Sequence, residues 1–228
     1  MSDAEQEDGR ERIARLASDW GREVGQEQIE HLLSFFALLL TWNRRINLTG
    51  AQSLVELIGE HLPDSFAMAR LVPPTACVVD IGSGGGLPAI PFALLRGDCR
   101  VTLVEPRAKR AAFLNAAARL ASASAGLELR ALRQRDEDLP SGAFDVASSR
   151  ATFPPGEWLA RGSRLVRPGG LVLLFTALPF AEATSPRSAD AESYSSGGGA
   201  ARWAGAYVSR GTSGTGGTVP TSAAGRGG

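Results

Sequence analysis

Cysteine is scarce: Cys77 and Cys99 are the only two in 228 residues. They show no metal-ligand spacing and are too few for a disulfide framework. Lysine is almost absent. Of 24 cations, Lys109 is the one lysine and the rest are arginine. An excess of one charge is also missing, because 24 acidic residues bring the formal net charge to zero. No global field draws nucleic acid, so any phosphate contact must come from local patches. Long apolar runs are missing too. Nothing approaches the stretch of about 20 apolar residues that a membrane span needs. No N-terminal apolar segment is long enough for a signal peptide. The expectation is a cytoplasmic monomer with no metal and no membrane contact. What is present is a hydrophobic fraction of 43%, enough for a core, in a chain of the length of one principal domain.

The chain is organised around Val78-Val79-Asp80-Ile81-Gly82-Ser83-Gly84-Gly85-Gly86-Leu87-Pro88. Cys77 to Ile81 reads as a buried strand ending in an acid. Gly82, Gly84 and Gly86 follow at alternate positions, then a helical stretch from Leu87 to Arg96. A strand, a turn without side chains and a helix N-terminus let backbone approach a nucleotide-like ligand. A dinucleotide fingerprint needs a sixth-position Gly or Ala, and Leu87 stands there. The pattern is instead Asp-x-Gly-x-Gly-x-Gly. It resembles Rossmann-like methyltransferases that use S-adenosylmethionine, and a nicotinamide dehydrogenase is disfavoured.

Upstream lie helical patterns. Residues 1–10 are polar and expected to fray. Helices are expected over 12–20, 26–43 and 53–70, the last kinked or split by Pro63. Pro73-Pro74 marks the end of an N-terminal helical cap, residues 1–72. Residues 73–209 form the cofactor-binding domain. Strands are expected at 77–81, 100–105, 127–132, 144–148 and 171–176, with helices at 87–96, 107–121 and 157–166. This alternation predicts an α/β fold with a mostly parallel doubly wound sheet. Residues 181–200 carry no element pattern. Residues 203–209 are expected as a last antiparallel strand at the sheet edge. Residues 210–228, rich in Gly, Ser and Thr, are expected to be a disordered tail.

In such sheets the ligand sits beyond the carboxyl ends of the strands. Asp80, Glu105, Asp136 and Arg150 all fall at or just past such ends. Glu105 offers two carboxylate oxygens to a vicinal diol such as ribose. Asp136-Glu137 either frames an adenine edge or is a solvated acidic turn. Arg150, in Ser149-Arg150-Ala151, is the candidate catalytic residue: its place suits a cofactor carboxylate or an acceptor phosphate. Arginines cluster at 107 to 110, 130 to 135 and 161 to 167, as phosphate contacts or as solvated helix faces. His31 and His61 lie in the helical cap, His61 the better placed to line a cleft. No acid–base or nucleophilic constellation appears, and no cysteine follows the fourth strand to form a thiolate adduct. An acceptor with an available lone pair, such as a guanine ring nitrogen, needs only alignment with an electrophilic methyl.

Trp42-Asn43-x-x-Ile46-Asn47-Leu48-Thr49, His61-Leu-Pro-Asp64-Ser65, Asp80-Ile-Gly-Ser-Gly-Gly-Gly-Leu-Pro-Ala-Ile-Pro91, Lys109-Arg110-x-x-Phe113-Leu114 and Ser149-Arg150-Ala151 together resemble the RsmG (GidB) family over about residues 12 to 176. That family comprises bacterial small-subunit ribosomal RNA (guanine-N7) methyltransferases. The resemblance implies S-adenosyl-L-methionine as cofactor, and ribosomal RNA or the small subunit as partner. It implies cofactor contacts at Gly82, Leu87, Asp136, Glu137 and Arg150, with Glu105 in the second-strand acid position. Asp80, Gly84 and Gly86 complete the cofactor-binding set. Phe175-Thr176-Ala177 stands where the family usually shows Lys-Gly. The alternatives are a methyltransferase acting on a small molecule or protein, and a cofactor-binding homologue without turnover.

Overall fold

Ser2 opens the first helix where composition alone suggested fraying. Its hydroxyl accepts from Glu5 N at 3.3 Å, and the Glu5 carboxylate accepts from Ser2 N at 2.7 Å. This reciprocal cap starts α1, Asp3–Asp19. Arg10 with Glu7 and Arg12 with Asp8 add ion pairs along its exposed face. The expected fraying of residues 1–10 is therefore corrected, because capping and local pairs stabilise a turn that has almost no apolar signal. A computed structural model describes residues 2–177, 188–196, 199 and 201–209. The expected tail, 210–228, lies outside them.

Helix α2 spans Gln26–Ile46 and ends at Asn47, which adopts a left-handed backbone at φ 45°. The next helical stretch is divided, as Pro63 predicts. It comprises α3 (Leu54–Glu56), a π-helical turn (Leu57–His61) and α4 (Leu62–Leu71). Proline donates no N–H, so the ladder widens just before it.

The alternating part follows the expected order. Strands β1 (Cys77–Ile81), β2 (Arg100–Val104), β3 (Leu129–Leu132), β4 (Phe144–Arg150) and β5 (Val166–Thr176) are parallel. Between them lie α5 (Ala89–Arg96), α6 (Ala108–Ala125), a 3-10 turn (Asp136–Asp138) and α7 (Pro155–Leu165). Strands β6 (Ser188–Ser195) and β7 (Ala201–Val208) close the sheet as an antiparallel hairpin. The order is β3-β2-β1-β4-β5-β7-β6, a Rossmann-like, mostly parallel doubly wound sheet. Two expectations change. The strand at 201–208 is not at the edge, because 188–195 pairs outside it. That outer strand is Ser-, Ala- and acid-rich, so it has no apolar alternation to reveal it. Residues 167–170, outside the strand expected at 171–176, lie inside β5, where the register with β4 shifts between Phe144 and Val146.

Side chains alternate across the sheet. On one face, Val78, Leu103, Val146, Leu173, Ala204 and Ala206 join one core with α5, α6 and the N-terminal helices. On the other, Val79, Ile81, Ala147, Val172 and Leu174 pack under Trp158, Leu159 and Leu165 of α7. The Trp158 indole N–H donates to Leu173 O at 2.7 Å. Parity places Arg150, two residues past Ser148 and four past Val146, on the face that carries α4. Arg202, two before Ala204, shares that face.

Candidate active site

The glycine turn hangs from β2. Val104 O accepts from Gly82 N at 2.9 Å and from Ser83 N at 3.1 Å. Gly82, Gly84 and Gly86 have φ of +69°, +52° and +74°, which glycine alone adopts without strain. Their surroundings differ. A Cβ at Gly82 would overlap the Thr152 side chain, and one at Gly86 the Ile90 side chain. A Cβ at Gly84 would meet nothing nearer than 3.7 Å. Gly84 would therefore tolerate a Cβ in ordinary contact with Arg110 Nη1 and Gly82 O, while its neighbours are glycine for packing. A Cβ at Gly85 would stand 3.2 Å from Leu48 O, so the loop after α2 lies directly against this turn.

Glu105 follows β2 and is 3% exposed. One carboxylate oxygen accepts from Gly84 N at 3.2 Å and the other from Arg107 N at 2.9 Å. A carboxylate has about four lone-pair sites, so each oxygen keeps one more. The glycine turn at Gly84, beside an acid with lone pairs to spare, fits an adenosyl group with its ribose diol. Leu87 is 5% exposed and belongs to the main core.

Asp80 sits behind the turn rather than in its mouth. It is 1% exposed, and its Oδ1 accepts from Ser148 Oγ at 2.6 Å. Burial pushes its carboxyl up to about 6, and the serine hydrogen bonds work against that. The folded chain thus binds this proton more tightly than the unfolded one. The resulting stability is complete below the unfolded pKa near 4 and is lost as pH rises through about 6. Relative to Asp80→Asn, which cannot ionise, the wild type should lose roughly 2–3 kcal/mol between pH 4 and pH 7.5. Urea denaturation at both values measures this. Equal changes in the two proteins would show that Asp80 does not ionise on that range.

Asp136 and Glu137 form the 3-10 turn after β3. Arg161 of α7 lies 2.9 Å from the Asp136 carboxylate and 3.1 Å from that of Glu137. It also stacks over Phe153, 4.8 Å from the ring centre. Arg164 donates to Asp136 O and Leu139 O. The acidic turn is therefore clamped by α7. The cluster at Arg161, Arg164 and Arg167 is engaged within the fold, with Arg167 on Asp145 at 2.5 Å.

Arg150, the last residue of β4, points away from solvent, with its side chain 22% exposed. Its Nη1 donates to Asp64 Oδ2 at 2.6 Å and to His61 Nδ1 at 3.0 Å. A guanidinium has only donors, so Nδ1 must accept and the ring proton sits on Nε2. Nε2 then donates to Thr49 Oγ1 at 2.8 Å. Burial, with help from the Arg150 charge, pushes His61 down to about 4, so the ring is neutral near pH 7. Asp64 is 1% exposed. It also accepts from Tyr194 Oη at 2.8 Å and Arg202 Nη1 at 3.2 Å. Burial and Asp64 push the Tyr194 phenol well above its usual range, so it stays a donor. Asn43 fixes the loop that carries Thr49. Its Oδ1 accepts from Leu48 N and Thr49 N, and its Nδ2 donates to Thr49 O and Ala51 O.

These groups border a cavity of about 370 Å³ lined by His61, Asp64, Arg150, Phe175, Tyr194 and Arg202, among other residues. Ala151 borders it too, while the next residue, Thr152, packs on Gly82. The end of β4 therefore joins cavity and glycine turn. Sequence reading placed Arg150 and His61 here. It did not assign Asp64, Thr49, Tyr194 or Arg202, although the His-Leu-Pro-Asp-Ser and Asn-Leu-Thr motifs carried the first two. Thr176 and Ala177, the departure at the end of β5, also line this cavity. Among the described residues no group of His, Cys, Asp and Glu could hold a metal ion. No helix among them is long and apolar enough to cross a membrane.

A family model for rRNA small subunit methyltransferase G (GidB) matches residues 28–191. Curated relatives bear the name ribosomal RNA small subunit methyltransferase G. One from Anaeromyxobacter sp. is 36% identical over 64% of this chain and 68% of its own length. One from Xanthomonas axonopodis pv. citri is 39% identical over 62% and 66%. One from Halorhodospira halophila is 36% identical over 66% and 70%. The chain thus spans about two thirds of the length of these relatives. Among solved structures, a cofactor-bound protein from MTB superposes with a TM-score of 0.54 at 19% identity, over 79% of this chain and 90% of that one. A tRNA methyltransferase of Aquifex aeolicus gives 0.50 at 14% identity, over 64% and 68%. At those identities the structures speak to the fold.

Proposed function

The chain belongs to the rRNA small subunit methyltransferase G (GidB) family, and from that membership we propose that it transfers methyl from S-adenosylmethionine to guanine N7 of small-subunit ribosomal RNA. One observation carries the chemistry: the cavity at the strand ends holds no free base among the described residues. His61 has both ring nitrogens engaged, Tyr194 is held protonated, and Asp64 receives three donors. Guanine N7 presents a lone pair and loses no proton, so it needs alignment rather than a base. An amine or hydroxyl acceptor would have to shed a proton, and the cavity offers nothing to take it.

When bound, S-adenosylmethionine supplies an electrophilic methyl. Gly82, Gly84 and Gly86 would hold it at the turn, with Glu105 accepting from the ribose hydroxyls and Asp136, Glu137 and Leu87 bordering the adenine. Asp80 acts from behind, by fixing the end of β1 against Ser148. Arg150 borders the acceptor side and, with Asp64, Phe175 and Arg202, orients the base and excludes water. The protein works in the cytoplasm, where ribosomal RNA is processed, and as a monomer.

Glu105→Ala should weaken S-adenosylmethionine binding by about 1–3 kcal/mol, the cost of losing a charged acceptor. Calorimetric titration measures it, and an unchanged affinity would remove Glu105 from the ribose. Methyl-transfer assays with small-subunit RNA, a protein extract and a metabolite pool test the substrate. Incorporation into RNA is expected. Incorporation into only one of the other two would replace rRNA as the acceptor.

A further inference from the structure

We propose that His61 is a positioning residue for Arg150, and that Thr49, His61 and Arg150 form one hydrogen-bonded chain from the cofactor turn to the acceptor cavity. The proposal rests on the reading that this cavity takes the acceptor base. Its starting point is a coincidence of contacts. Leu48 O lies against Gly85, at the centre of the glycine turn. The next residue, Thr49, holds His61 Nε2, and His61 Nδ1 holds Arg150 Nη1. Arg150 borders the cavity.

Each link has one allowed direction. Thr49 Oγ1 already accepts from Ala51 N at 3.2 Å and accepts the Nε2 proton as well. That leaves Nδ1 bare, which is the only state a guanidinium can bond. Asp64 alone would hold Arg150 by charge, as it also holds Arg202. A second bond from His61 to the same Nη1 fixes the rotation of the guanidinium plane, which a single ion pair leaves free. Arg150 is thereby kept at one orientation toward the acceptor. The groups facing His61 are Arg150, Asp64, Arg202 and Glu60. Burial keeps the ring uncharged among them, and a charged ring would also repel the guanidinium it positions.

Misorienting an aligning group by a small displacement costs about 10- to 100-fold in turnover. His61→Leu should therefore lower kcat on small-subunit RNA by that factor, with S-adenosylmethionine affinity and KM within about twofold. His61→Asn, whose side-chain oxygen can take the place of Nδ1, should recover most of the loss. In an Arg150→Lys background, His61→Leu should add nothing, because the two act as one unit. A full multiplicative loss would overturn the proposal.

A second readout needs no turnover. The chain has two histidines, so the ¹⁵N-histidine ring spectrum of the intact protein contains two spin systems. The His61 system should show the neutral Nε2–H tautomer. Its Nδ1 resonance should move in Arg150→Lys, and its Nε2 and Nε2-proton resonances should move in Thr49→Val, with the tautomer kept. A His61 signal indifferent to both substitutions would overturn the proposal. If the spectrum responds as stated while the wild type puts no methyl on RNA, the positioning chain stands and the substrate reading falls.

Discussion

Gly84→Val should abolish S-adenosylmethionine binding while leaving the protein folded. The turn places Gly84 at φ +52°, where a Cβ would touch Arg110 Nη1 and Gly82 O, each at 3.7 Å, without overlap. A Cβ there makes ordinary contacts without a clash, so the loss comes from the branched methyls entering the space assigned to the cofactor. The left-handed backbone adds roughly 1–2 kcal/mol of strain, which a domain of ordinary stability survives. The affinity should fall by more than about 100-fold, equivalent to about 2.7 kcal/mol or more. Calorimetry with a parallel thermal melt separates the effects. Retained affinity would move the cofactor off the turn. Gly82→Val should behave differently, because its Cβ overlaps Thr152 and so threatens the fold itself.

Asp64→Ala should cost about 3–5 kcal/mol of stability, the penalty for orphaning a buried charge partner. Asp64 is 1% exposed and receives Arg150, Arg202 and Tyr194. Its removal leaves Arg150 with only a neutral imidazole, while Arg202 keeps Glu60 at 3.2 Å. The Tyr194 hydroxyl loses its acceptor. Asp64→Asn keeps an acceptor and should cost less. Urea denaturation with an unchanged m value measures both. A loss under about 1 kcal/mol for the alanine variant would mean that Arg150 and Arg202 find other partners or water.

The strand–turn–helix unit was legible because three separate signals coincide there: an apolar run, a strand-ending acid and alternating glycines. The alternation after it was legible for the same reason, since strands buried on both faces read as apolar runs. Three things were hidden. The first helical turns carry capping chemistry instead of apolar periodicity, so residues 3–10 looked frayed. Strand β6 is polar in composition and pairs on one side, so nothing in its hydropathy marks it. The Asp64 cluster joins residues 86 and 138 positions apart, and no local pattern encodes such a pairing. Parity on β4 and β7 puts Arg150 and Arg202 on one sheet face, but only the structure shows that α4 brings a carboxylate between them. The arginine cluster at 161 to 167 shows the converse. Its charge density suggested either phosphate binding or a solvated face, and the fold uses it to hold Asp136, Glu137 and Asp145.

The family-specific motifs gain a physical account from the same network. Asn43 shapes the loop that presents Leu48 to Gly85 and Thr49 to His61. His61 and Asp64, on adjoining helical turns around Pro63, both reach Arg150. Motifs far apart in the chain thus meet at one guanidinium.

The most direct test of this account is the position of the transferred methyl. The protein is incubated with labelled S-adenosylmethionine and small ribosomal subunits, or their naked RNA, lacking N7-methylguanosine. The RNA is then cleaved chemically at N7-methylated guanines. Label at N7 of a single guanine is predicted. Absence of label from the RNA, with S-adenosylmethionine binding intact, would contradict it.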